Sequence, residues 1–178
     1  MFYGAIKNCD VANGEGVRVA LFVSGCTNRC KGCFQPETWD FHYGEPFTKL
    51  TADKIEELLA PDYINGLSLL GGDPMEPKNQ FTLWPFIKKV KEDFPNKTIW
   101  CYTGFTLDKL LEDGSYCRCA ATDDLLKRID VLVDGPFIEE QKDISLRFRG
   151  SRNQRIIDMN KTREQMKVVL WNDGKERD

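Results

Sequence analysis

The chain has 178 residues, 41% of them hydrophobic and 30% charged, with a net charge of −3. This length buries a core without metal or disulfide staples, and the mild acidity gives no general reason to expect direct nucleic-acid binding. The first 25 residues lack the basic start and apolar core of a secretion signal, and no apolar run nears the roughly 20 residues that span a bilayer, so a cytoplasmic protein with no membrane partner is expected.

In chain order, apolar runs that read as buried strands are "RVALFV" (18–23), "GLSLL" (66–70), "KTIWCY" (97–102) and "DVLV" (130–133), with weaker ones at "QRIID" (154–158) and "KVVLW" (167–171). Their lack of strict alternation suits a sheet covered on both faces. Helical patterns fall between them. Thr51 is a candidate cap for a helix through Ala60, with Ile55, Leu58 and Leu59 on one face and Pro61 at its end. Asn79 precedes a second, with Leu83, Ile87, Val90 and Phe94 on a stripe and Pro85 in its first two turns. Thr106 and Thr122 are candidate caps for helices at about 107–112 and 123–129. The alternation predicts an α/β fold with about six mostly parallel strands. With no internal repeat, low-complexity tract or linker, the chain reads as one domain, 1–178.

Ligands in such folds gather beyond the carboxyl ends of the strands. "SGCTNRCKGCF" (24–34), "GGDP" (71–74), "TGF" (103–105) and "DGPF" (134–137) each follow a predicted strand, so four loops are expected on one rim.

The first of these loops carries Cys26, Cys30 and Cys33 at C-x3-C-x2-C spacing. Seven cysteines without a secretion signal favour thiol or metal chemistry over a disulfide framework. Zinc could take the three with His42, the single histidine, and a two-iron cluster could take Cys101 as its fourth ligand. The segment is too polar for unliganded core thiols. A 4Fe-4S cluster on three thiolates leaves one iron open, where a small molecule can bind and receive an electron.

At this point the sequence resembles a known superfamily. "CTNRCKGC" is similar to the signature of the radical S-adenosylmethionine enzymes, and "GGDP" resembles their GGE-type motif, with Asp73 in place of the commoner Glu. The series "VANGEGVRVALFVSGC", "CFQPETWDF", "LSLLGGDPMEPKN", "WCYTGF", "DVLVDGPF" and "LRFRGSRNQRIID" narrows the resemblance to the activating proteins of anaerobic (class III) ribonucleoside-triphosphate reductase, over about residues 10–158.

The resemblance implies an incomplete βα barrel and one 4Fe-4S cluster on Cys26, Cys30 and Cys33. S-adenosylmethionine is the implied cosubstrate, bound by backbone at Gly32, Cys33 and Phe34 and by Gly71, Gly72 and Asp73, with Thr103 and Asp134 as further candidates on the rim. It also implies reductive cleavage to a 5′-deoxyadenosyl radical that takes hydrogen from a glycine of the partner reductase. The electron comes from a low-potential donor such as reduced flavodoxin. The alternatives are an activase of another glycyl-radical enzyme, such as formate acetyltransferase, and a noncatalytic iron-sulfur or zinc protein.

Two segments stand apart. "SYCRCAATDD" (115–124) reads as a variable loop despite Cys117 and Cys119, and "SLRFRGSRNQR" places Arg147, Arg149, Arg152 and Arg155 within nine residues, as a solvated basic face or as a contact for the reductase or a ligand carboxylate.

Overall fold

In a computed structural model, which describes residues 1–172, the chain forms one seven-stranded open sheet flanked by five α-helices. The strands are β1 (Phe2–Asp10), β2 (Arg18–Val23), β3 (Glu45–Pro46), β4 (Gly66–Gly71), β5 (Thr98–Tyr102), β6 (Val131–Asp134) and β7 (Arg155–Asp158), in spatial order β3-β1-β2-β4-β5-β6-β7. The sheet is mostly parallel: β2, β4, β5 and β6 form its parallel centre, while β1 and β7 run antiparallel to their neighbours.

The five expected strands from 18 to 158 are present. The segment 167–171 is not a strand: it follows a left-handed Met166 and joins β7 through a single bridge, Leu170 to Ile157. β1 and β3 were not anticipated. β1, "FYGAIKNCD", mixes Gly, Lys and Asn into a half-exposed run, and two register irregularities against β2 break its alternation.

Residues of alternate parity along the strands face two different environments. Val19, Leu21 and Val23 of β2 pack with Leu67, Leu69, Ile99 and Leu132 against a helical layer supplying Ile55, Leu59, Leu83, Ile87, Val90 and Leu125. The other face is covered without a helical layer: Trp100, Val131 and Val133 pack against Phe148, Ile156 and Trp171, and Phe22 and Tyr102 line an open cavity.

On that second face Arg18 is 1% exposed. Its guanidinium donates to Ser68 Oγ (2.8 Å), Thr98 Oγ1 (2.9 Å) and the carbonyls of Glu15, Leu67 and Thr98, and it lies 5.6 Å from the Trp100 ring. Burial lowers its pKa to about 10, which leaves it charged at neutral pH. Arg18→Met keeps the stem but orphans these acceptors, so a stability loss of about 3 kcal/mol is expected, read as a lower denaturant midpoint at unchanged m-value.

α1 (Lys49–Leu59) begins three residues earlier than expected: Thr48 is its cap, and Thr51 closes a reciprocal capping box. α2 (Pro77–Asp93) likewise starts before Asn79, with Glu76 at the cap, so Pro85 lies in the helix interior rather than its first two turns. Asn79 serves elsewhere, donating to the carbonyls of Ser24 (3.0 Å) and Asp73 (2.9 Å). Thr106 caps α3 (Leu107–Leu111) as expected. Thr122 lies inside α4 (Thr122–Leu126) and donates to Gln80 Oε1 at 2.7 Å instead of capping. α5 (Met159–Gln165), capped by Asp158, was not anticipated because its sequence "MNKTREQ" carries no apolar stripe. Among the described residues no helix is long and apolar enough to cross a membrane.

Candidate iron-sulfur and ligand site

The loops after β2, β4, β5 and β6 meet at the carboxyl ends of the parallel strands, around a cavity of about 690 Å3. Cys26, Cys30, Cys33, Phe34, Gly71, Gly72, Asp73 and Thr103 all line it.

Two expected residues do not. Gly32, at φ +72°, turns toward Glu139, whose Oε1 would lie 2.9 Å from an added Cβ. Asp134 is 1% exposed and already engaged: it accepts from Leu107 N (2.7 Å) and from Arg155 Nε (2.9 Å) and the Arg155 terminal nitrogen. It holds the start of α3 against β7 and is buried by those contacts. Arg155, half-buried, is thereby paired within the chain, and also reaches Asp108 at 2.9 Å. Arg152 pairs with Asp143 at 2.9 Å, and Arg149 lines the cavity while donating to the Gln154 carbonyl at 2.6 Å.

The glycine pair is required by loop-on-loop packing. A Cβ on Gly71, at φ +104°, would lie 2.6 Å from the Val23 carbonyl oxygen, and one on Gly72 would lie 2.6 Å from that of Gly25. The close approach that forces glycine here is to the backbone of β2's end and of the cysteine loop, while both glycines also line the cavity. Gly72 N donates to Val23 O (2.7 Å) and Asp73 N to Gly25 O (2.8 Å).

Asp73, also 1% exposed, gathers three loops. Its Oδ2 accepts from Asn28 Nδ2 (2.9 Å), Thr103 Oγ1 (3.1 Å) and Gly104 N (2.9 Å), and its Oδ1 from Met75 N (2.9 Å). Burial pushes its carboxyl up to about 7 against these donors. Thr103 is thus committed to Asp73 as well as lining the cavity. Glu76, fully buried, accepts from Thr27 N (2.7 Å), Thr27 Oγ1 (2.6 Å) and Tyr116 Oη (2.9 Å).

The segment 115–124 is therefore not a free surface loop. Cys117 belongs to the main core, Gln80 Nε2 donates to its carbonyl (2.7 Å), and Tyr116 reaches the buried Glu76.

The three thiols that line the cavity are the candidate cluster ligands. Among the described residues no three His, Cys, Asp or Glu side chains converge as a single-ion site. His42 is exposed against Asp40, and Cys101 is fully buried in the helical-side core; neither lines the cavity. Burial, then Asp73, pushes the Cys26 thiol up to about 11, opposed by the backbone N–H groups of Asn28 and Arg29. Burial also raises Cys30, opposed by the Phe137 N–H. Such N–H groups, aimed at sulfur, are the donors that stabilise metal-bound thiolate.

Phe34 reaches across to the loop after β6, 5.5 Å from the Phe137 ring and 5.2 Å from Lys142 Nζ. Lys31 pairs with Glu139 at 3.0 Å beside it. The sequence gives no site role to Asn28, Glu76 or Tyr116, and marks Asn79 only as a helix start. The signal available was a polar "TNR" between the first two cysteines and an acid in "PMEPKN" with no basic neighbour before Lys78.

Residues 12–157 match the family model described as "4Fe-4S single cluster domain". The chain is 46% identical over 149 residues to an anaerobic ribonucleoside-triphosphate reductase-activating protein of Haemophilus influenzae, covering 83% of this chain and 91% of that one. A protein of the same name from Vibrio cholerae is 46% identical over 88% of this chain and 97% of its own. One from enterobacteria phage T4 is 37% identical over 88% and 93%. No solved structure matches. The chain belongs to the 4Fe-4S single cluster domain family and, within it, to the anaerobic ribonucleoside-triphosphate reductase-activating proteins.

Proposed function

We propose that this chain is a radical S-adenosylmethionine enzyme of 1–178 as one domain, an incomplete βα barrel in type, that activates anaerobic ribonucleoside-triphosphate reductase in the cytoplasm. Residues 173–178 lie outside the described structure. The observation that carries the reading is the convergence of Cys26, Cys30 and Cys33 with the Gly71–Asp73 clamp on one cavity of about 690 Å3, within the range of small-molecule sites.

Cys26, Cys30 and Cys33 would hold the 4Fe-4S cluster, which when bound supplies a low-potential electron and an open iron for cleaving S-adenosylmethionine to methionine and a 5′-deoxyadenosyl radical. The chain's own residues orient and shield. The Asp73 carboxylate is spent on the loops, so the Gly71–Gly72 backbone is left to meet the ligand's polar end, and Phe34 covers its adenosyl end. The half-open cavity admits a glycine-bearing loop of the reductase, whose glycine gives up hydrogen to the radical. No residue here is needed as a general base; the work is positioning and exclusion of water. Reduced flavodoxin represents the class of donor required.

Anaerobic reconstitution with iron and sulfide, followed by reduction with S-adenosylmethionine present, is expected to yield 5′-deoxyadenosine. A colourless protein holding one zinc ion and cleaving nothing would contradict the proposal.

A further inference from the structure

We infer that Asn28 is a positioning residue whose side-chain amide links the Cys26 sulfur to the Asp73 carboxylate, so that the loop after β4 helps to set the electronic properties of the cysteine centre. The inference rests on the cluster assignment above.

Asn28 Nδ2 lies 2.9 Å from Asp73 Oδ2 and 3.8 Å from Cys26 Sγ. A primary amide has two N–H donors on one nitrogen, and Asp73 Oδ2, which already accepts from the Gly104 N–H, faces it as an acceptor, so this contact fixes which end of the amide faces inward. The second N–H is then available to the sulfur. Gly104 confines the amide from the loop after β5: its own N–H donates to the same Oδ2 at 2.9 Å, and a Cβ there would lie 2.5 Å from Asn28 Nδ2. The amide is thus wedged between a buried acceptor and a cysteine.

The rest of the loop is anchored independently of Asn28. Thr27 is held twice by Glu76, Cys26 N donates to Trp39 O at 3.3 Å, and Asn79 holds Ser24 O. Removing the amide therefore takes a donor from one sulfur without releasing the loop. Hydrogen bonds to cluster sulfurs stabilise the more negative, reduced state, and their loss lowers the reduction potential.

The test compares wild type, Asn28→Ala, Asn28→Leu and Tyr116→Phe after anaerobic reconstitution with iron and sulfide, by potentiometric titration of the paramagnetic reduced state. Asn28→Leu retains the side chain's approximate shape while removing both donors. Tyr116→Phe loosens a loop anchor, through Glu76, without touching a sulfur. All four are expected to assemble the chromophore. At a fixed poise the reduced-to-oxidised ratio should fall about tenfold in both Asn28 variants, about 59 mV for a one-electron couple, and stay at the wild-type value in Tyr116→Phe. Unchanged potentials in the Asn28 variants, or an equal shift in Tyr116→Phe, would overturn the inference. A wild-type protein that takes up no cluster would instead remove the reading on which it rests.

Discussion

Cys26→Ala, Cys30→Ala and Cys33→Ala are each expected to abolish cluster assembly and S-adenosylmethionine cleavage, while Cys117→Ala and Cys119→Ala keep both. The first three thiols line the same cavity as the glycine pair. The other two do not line it: Cys117 is 1% exposed in the core and Cys119 lies against Gln80 and Thr122. Cys117→Ala removes a sulfur from the core and should cost about 1 kcal/mol of stability. Iron and sulfide analysis, absorption near 400 nm (roughly the range of iron-sulfur chromophores) and 5′-deoxyadenosine yield separate the two groups. Cluster loss in Cys117→Ala or Cys119→Ala would show that the ligand set is wrong.

The second large effect is expected at Asp73. Asp73→Ala leaves the donors of Asn28, Thr103, Gly104 and Met75 without their common acceptor. A stability loss of about 3 kcal/mol should follow, together with roughly hundredfold lower cleavage from displacement of the loops. The same residue gives the apoprotein a pH dependence. Its carboxyl is raised to about 7 by burial, above the ordinary 3.8, so between these values the folded state keeps a proton that the unfolded state has lost. Stability from this group is therefore fully present below about pH 4 and is lost as pH rises toward 7, by at most about 1.4 kcal/mol per unit. Asp73→Asn should remove that slope. Urea midpoints at pH 5, 6 and 7 compare the two, and parallel curves would contradict the assignment.

What could be read from the sequence was what lies close together along the chain. C-x3-C-x2-C and Gly-Gly-Asp are contiguous, and "RVALFV" and "DVLV" are apolar enough to be strands in any context. β1 was hidden because its pairing with β2, not its composition, makes it a strand. The helix starts differ from the single-residue cap signals because Thr48 and Thr51 act reciprocally and Asn79 is recruited by the cysteine loop. Asp134 and Thr103 read as rim residues because they close or follow strands, and Thr103 does line the cavity. Only the fold reveals that Arg155, 21 positions away, takes the first, and that Asp73, 30 positions away, takes part of the second. The carboxylate of "GGDP" gives no sign in the sequence of its four donors, which come from three separate loops.

The most direct measurement is paramagnetic resonance of the reconstituted protein mixed anaerobically with the partner anaerobic ribonucleoside-triphosphate reductase, S-adenosylmethionine and a low-potential reductant. A stable organic radical on the reductase is expected, lost when its glycine is replaced and absent when Cys26→Ala, Cys30→Ala or Cys33→Ala is used. Cluster assembly and 5′-deoxyadenosine formation without any such signal would contradict the assignment of this reductase as the protein substrate.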